Sequence, residues 1–105
     1  MIKLDLSQKL YTLQGLPMTI NGESAELGNF LAEIVIAPHE TKKGFRPLQA
    51  LELSRKMIKG GEIELETSTI VVLKDVLEGS KVFGPLVVGQ IQEMIIKAES
   101  DPTQK

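Results

Sequence analysis

The sequence predicts an α+β fold, in which an N-terminal β-hairpin or small antiparallel sheet is followed by a bundle of about four short helices. Three observations carry this expectation. Apolar residues alternate with polar ones early in the chain (Ile2, Leu4, Leu6; Met18, Ile20), the period of a strand with one covered face. From Leu27 onward apolar residues recur at three- and four-residue spacing, the period of a helix. Proline and glycine then punctuate the helical stretches at Pro47, Gly60-Gly61, Gly79 and Gly84-Pro85.

Taken in order, Ile2, Leu4 and Leu6 predict a first strand. Tyr11 and Leu13, then Met18 and Ile20, predict a hairpin over residues 10–21, turned at Gln14-Gly15-Leu16-Pro17. Asn21-Gly22 is expected to lead the chain out of the sheet. The period changes at Glu26, with Ser24 as the expected N-cap and Pro38 as the stop. Residues 38–46 (PHETKKGFR) read as an exposed loop. A second helix runs from Pro47 to Lys59, with Ala50, Leu51, Leu53, Met57 and Ile58 as its apolar side. Ile63-Glu64-Leu65 is a short extended stretch expected to pair with the N-terminal sheet. A third helix over 67–78 turns Ile70, Leu73, Val76 and Leu77 inward, and a fourth starting at Pro85 does so with Val87, Val88, Ile91, Met94, Ile95 and Ala98. At 105 residues, 42% hydrophobic and 25% charged, the chain buries roughly two-thirds of its unfolded surface, enough for one core without staples. Residues 1–99 are therefore expected to form one compact domain, and residues 100–105 a disordered tail.

Composition removes several kinds of chemistry. Cysteine is absent, which excludes disulfides, thiolate zinc and cysteine nucleophiles. His39 is the sole histidine, so one chain offers no two-histidine metal site, and its place beside Glu40 in a polar loop reads as solvated. No serine sits in a G-x-S-x-G context. The stretch Gly84-Pro85-Leu86-Val87-Val88-Gly89 has Walker-like glycine spacing, but Gln90 and Ile91 stand where the lysine and hydroxyl belong. Its glycines read as structural: Gly84 ends a turn and Gly89 lets a neighbouring helix approach. Glu62, Glu64 and Glu66 would share one strand face, a solvated row without the oxygen-rich loop of a calcium site. The expectation is therefore no enzyme, no metal and no cofactor. No basic-then-apolar leader opens the chain, and runs such as Ile34-Val35-Ile36-Ala37 are too short to span a bilayer, so no membrane association and a cytoplasmic location are expected.

Two surfaces remain. Lys42, Lys43, Arg46, Arg55, Lys56 and Lys59 form a basic island, opposed only by Glu52, in a chain of net charge −2. Such an island could contact phosphates, yet only Phe45 places an aromatic among its residues and no amide stands on the helix face to read bases. Meanwhile Val71 falls on the polar side of the third helix, and Leu86 and Ile96 lie outside the main apolar stripe of the fourth. Apolar residues so placed point to a protein partner or to self-association, as in a homodimer.

The opening Ile2-Lys3-Leu4-Asp5-Leu6, the Gly15-x-Pro17 turn, Leu73-Lys74 and the late Gly84-Pro85-Leu86-Val87-Val88-Gly89 resemble short proteins encoded by tailed bacteriophages and prophages. The resemblance runs from residue 2 to about residue 96 and rests on apolar and turn positions. It implies a phage accessory protein, acting in the bacterial host cytoplasm through a partner as an adaptor, assembly factor or inhibitor of a host protein. It implies no catalytic residues.

Overall fold

An extended N-terminal segment and four helices enclose one core in the computed structural model, which describes residues 1–37 and 45–100. The first strand, β1 (Ile2–Asp5), pairs antiparallel with β4 (Glu62–Leu65), setting Ile2 opposite Leu65 and Leu4 opposite Ile63. Leu4 and Leu65 are buried, while Lys3, Asp5, Glu62 and Glu64 stand on the exposed side. Between these strands come β2 (Thr19–Ile20), β3 (Glu23–Ser24), α1 (Leu27–Ile36) and α2 (Pro47–Lys59), and after them α3 (Thr67–Glu78) and α4 (Pro85–Glu99). The architecture is α+β, with β4 inserted between the second and third helices.

The region of residues 10–21 departs from the expected hairpin. Two hydrogen bonds close a short loop, Met18 N–H to the Leu10 carbonyl and Thr12 N–H to the Leu16 carbonyl, both at 2.8 Å. Its ladder, though, is a single bridge between Tyr11 and Pro17. Tyr11 and Leu13, the alternating apolar residues of that expected hairpin, are exposed, and Leu10 is buried. A one-residue shift is enough to exchange the two faces of an extended chain. Asn21-Gly22 does not lead out of the sheet. With φ of 54° and 81°, these residues form the two-residue turn between β2 and β3, the conformation that an Asn-Gly pair favours.

α1 is the centre of the core. Leu27, Phe30, Leu31, Ile34 and Val35 are all buried, each burial contributing roughly 1.5–3 kcal/mol relative to exposure. A helix enclosed on most sides leaves its first N–H groups out of reach of water, so the chain must satisfy them. The segment leaving β1 does so: Leu27 N–H donates to the Gln8 carbonyl at 2.7 Å and Gly28 N–H to the Leu6 carbonyl at 3.0 Å. The N-cap is Glu26, whose N–H donates to Asn29 Oδ1 at 2.9 Å. Ser24, the expected cap, belongs to β3, where its Oγ accepts from Lys9 Nζ at 2.8 Å. The Pro38 stop lies outside the described residues, although Ala37 already has the extended conformation (ψ 150°) that a following proline favours.

Gly28 allows this packing. A Cβ there would overlap the Met57 carbonyl oxygen of α2 and stand 3.2 Å from Leu6 Cβ. Its neighbourhood continues through Leu6 N–H to the Gly61 carbonyl at 2.7 Å and Gly60 N–H to the Met57 carbonyl at 3.1 Å. Gly60 and Gly61 both hold positive φ, 75° and 76°, which glycine adopts without strain. By contrast, a Cβ on Gly89 would meet nothing within 4 Å, so the close helix approach expected at Gly89 occurs at Gly28 instead.

α3 packs against α1, and α4 packs against β1 and α3. Ile70, Leu73, Val76 and Leu77 of α3 are buried, as are Val87, Ile91 and Ile95 of α4. Val88, Met94 and Ala98 are half-buried at the margin. Phe83, in the link between these helices, meets Phe30 edge to face at 5.3 Å between centroids and 61°, a favoured aromatic geometry. Ile58, expected on the covered side of α2, is exposed. The frayed tail expected from residue 100 falls, from Asp101 on, outside the described residues.

Gly28→Ala should lower stability by about 1–3 kcal/mol through overpacking, whereas Gly89→Ala should raise it by up to about 1 kcal/mol through helix propensity. Thermal melts of the two variants at low protein concentration check the contrast. Equal effects would contradict the assigned contacts. A second expectation concerns acid. Asp5 accepts from Ser7 Oγ at 2.5 Å and Ser7 N–H at 2.9 Å, and the hydroxyl first, then the amide, hold its carboxyl below the ordinary aspartate value. The stability this contributes is present above the unfolded-state pKa and is lost as pH falls through the lower folded value. Ser7→Ala should move the Asp5 titration upward in a carboxyl-detected NMR experiment, and an unmoved titration would remove the assigned cause.

Candidate functional site

The outward side of α4 is the part of the surface whose residues the fold does not explain. Three- and four-residue spacing places Leu86, Gly89, Glu93 and Ile96 along one side of the helix, opposite the buried Val87, Ile91 and Ile95. Ile96 is 60% exposed and Leu86 37%. Val71 stands away from the core on α3 and is 55% exposed. Lys74, one turn after Val71, pairs with Glu99 at 2.6 Å, which ties that part of α3 to the end of α4. Val71 and Ile96 thus belong to the same end of the two-helix layer. Leu86 lies ten residues before Ile96, about 15 Å along the helix, with Glu93 between them. The three expected binding residues are all exposed, but they form two apolar points and an outlier rather than one continuous patch.

Two open grooves flank Ile96. One, of about 760 Å³, runs between α4 and the N-terminal segment, and is lined by Lys9, Tyr11, Glu93, Met94, Ile96 and Lys97 among others. The other, of about 250 Å³, lies between α3 and α4, with Lys74, Glu78, Gln92, Ile95 and Ile96. The first groove exists because Gln90 fastens the N-terminal segment to α4. Its Oε1 accepts from Tyr11 N–H at 2.8 Å, and its Nε2 donates to the Tyr11 carbonyl at 2.8 Å and to the Leu86 carbonyl at 2.9 Å. A side-chain amide here occupies the place of a neighbouring strand. Sequence reasoning noticed Gln90 only as the residue standing where a P-loop lysine would be. It also missed the loop tip, where Leu13 is 86% exposed and Leu16 is exposed too.

The basic island is only partly described. Arg46, at the N-cap of α2, and Arg55, Lys56 and Lys59 along it are exposed. Lys42, Lys43 and His39 lie outside the described residues. Lys56 and Lys59 occupy the last turn of α2, where positive charge opposes the helix dipole and stabilises the helix on its own account. Glu52 is exposed on the same helix, and Phe45, the aromatic expected among the basic side chains, is buried at 2% exposure. It packs in the core and is not available to stack on a base.

The other candidates resolve into structure. Val87, between the two glycines of the Walker-like stretch, is buried in the core, and Gly84 is the N-cap of α4, its carbonyl accepting from Val87 and Val88 N–H at 3.1 Å. Glu62 and Glu64 face Asp5 and Lys3 across the β1–β4 pair, and Glu66 is the N-cap of α3. Among the described residues, no three His, Cys, Asp or Glu side chains converge as a metal site would require. No helix among them is long and apolar enough to cross a membrane.

Gln90→Leu should leave both backbone groups of Tyr11 unpaired and speed amide exchange at Tyr11 by about tenfold or more, with the amides of α1 unaffected. Exchange at Tyr11 equal to wild type would show that Gln90 does not hold the segment.

No family model, curated protein or solved structure matches this chain, so the function is argued from its own surface.

Proposed function

We propose that this chain is a non-enzymatic accessory protein of the phage type, acting in the bacterial host cytoplasm by binding another protein through the outward side of α4 and the adjoining end of α3. The single observation that carries this reading is Ile96, a large β-branched residue 60% exposed on a helix whose opposite side already fills the core. Such a residue contributes little to the fold and is well suited to burial against a partner, where aliphatic anchors beside grooves supply much of the binding energy. Val71 adds a second exposed apolar point at the same end of the layer, and Leu86 stands apart, exposed at the other end of α4.

A second reading, a small nucleic-acid-binding regulator, is favoured by one observation: Arg46, Arg55, Lys56 and Lys59 are all exposed on or next to α2. Glu52 among them and the burial of Phe45 weigh against it.

The test is affinity capture from bacterial lysate with and without nuclease, comparing wild type with Val71→Ser, Leu86→Ser and Ile96→Ser combined. A protein retained at fixed stoichiometry in both conditions and lost with the triple variant, at unchanged helicity, is the expected outcome. Retention unaffected by the triple variant would contradict the reading. Recovery that disappears with nuclease and falls steeply with salt would transfer the function to α2.

A further inference from the structure

Resting on the protein-binding reading above, we infer that the partner is a second copy of this chain, docked through α4 in an antiparallel, two-fold arrangement. The argument begins with two charges. Glu93 and Lys97 are both exposed on α4, one turn apart. Neither has an ion-pair partner among the described residues, whereas Glu99, on the α3 side of the same helix, is paired with Lys74 of α3 at 2.6 Å. The pattern is self-complementary. A two-fold axis running beside α4, perpendicular to it at the level of Ile95, relates a position two residues before that level to one two residues after it on the partner. Each Glu93 then stands opposite the partner's Lys97, and Ile96 meets its own copy beside these pairs. A parallel arrangement would instead set Glu93 beside Glu93 and Lys97 beside Lys97, which repel.

Shape agrees with charge. Ile96 borders both open grooves, the one beside Tyr11 and the one beside Lys74, so it forms a ridge with a furrow on each side. Two such surfaces related by a two-fold axis can place ridge into furrow. The size of the contact sets its strength. α4 has 15 residues, a length of about 22 Å, and one side of such a helix offers less than the roughly 800 Å² per partner of a standard interface. The dimer is therefore weak and concentration-dependent. A second copy matches one charge of each sign, set two residues before and two after the level of Ile95, by construction.

Sedimentation equilibrium of the full chain, from about 5 μM to about 1 mM, tests the inference over the range in which so small an interface dissociates. Wild type should show a monomer–dimer equilibrium. Glu93→Lys and Lys97→Glu should each weaken it by about tenfold, and the double exchange should restore it to within about threefold, because reversed pairs are again opposite in sign. Circular dichroism checks that the variants, all at exposed positions, keep their helicity. A wild type monomeric throughout, single variants that associate as wild type does, or a double exchange as weak as the singles would each overturn the second-copy assignment. Should that happen while lysate capture remains sensitive to the Val71, Leu86 and Ile96 substitutions, only the identity of the partner falls. Loss of both results removes the binding reading itself.

Discussion

Everything in this fold passes through the backbone contact at Gly28. The absence of a side chain there lets the first turn of α1 lie against the Met57 carbonyl of α2 and against Leu6, close enough for the carbonyls of Leu6 and Gln8 to cap the helix. The same Leu6 donates to the Gly61 carbonyl, so the contact also fixes where β4 begins and hence its register on β1. One small residue therefore couples a helix start, a helix end and a strand pair. With its polar terminus satisfied in this way, α1 can be buried on most sides without leaving unpaired N–H groups, whose desolvation would offset the gain from its apolar side chains.

Placing α1 at the centre decides what the other helices expose. α2 and α3 each cover one side of it and α4 covers β1 and α3, so all three keep an outward side. That of α2 carries Glu52, Arg55, Lys56 and Lys59, charged residues that hydrate well and, at the helix end, favour the dipole. Those of α3 and α4 carry Val71 and Ile96. β-Branched residues at exposed helix positions are slightly poorer helix formers than lysine, glutamate or alanine, so neither packing nor propensity accounts for them. The N-terminal segment, held by the two hydrogen bonds between Gln90 and Tyr11, then frames α4 with a groove, which turns an exposed isoleucine into a shaped surface.

The helices were legible in the sequence because their signals are local and agree with one another. Proline at the first position of α2 and α4, glycine at the end of α2 and α3, and apolar spacing within them place these helices as observed. The N-terminal third was less legible because its pairings are decided by distant partners. The backbone of Tyr11, for instance, is paired by Gln90, 79 residues away. Asn21-Gly22 carries a hairpin signal, but the two-residue strands on either side are too short to show alternation. Gly28, inside an apolar helical run, and Gly89, inside another, look alike in sequence; only the tertiary neighbours distinguish a required glycine from a free one. For the candidate surface, helical spacing alone placed Val71, Leu86 and Ile96 outward. It did not reveal that Leu86 stands apart from the other two, that Glu93 and Lys97 are unpaired, or that Phe45 leaves the basic loop for the core.

The central claim, that this chain meets a second copy of itself through the outward side of α4, is tested most directly by backbone amide NMR spectra recorded over increasing protein concentration. The account predicts progressive shifts at Glu93, Ile96 and Lys97 and in the Tyr11 segment beside them, with α1 and the outer side of α2 unmoved. Shifts centred on Arg55 and Lys59 of α2, or spectra that do not change with concentration, would contradict it.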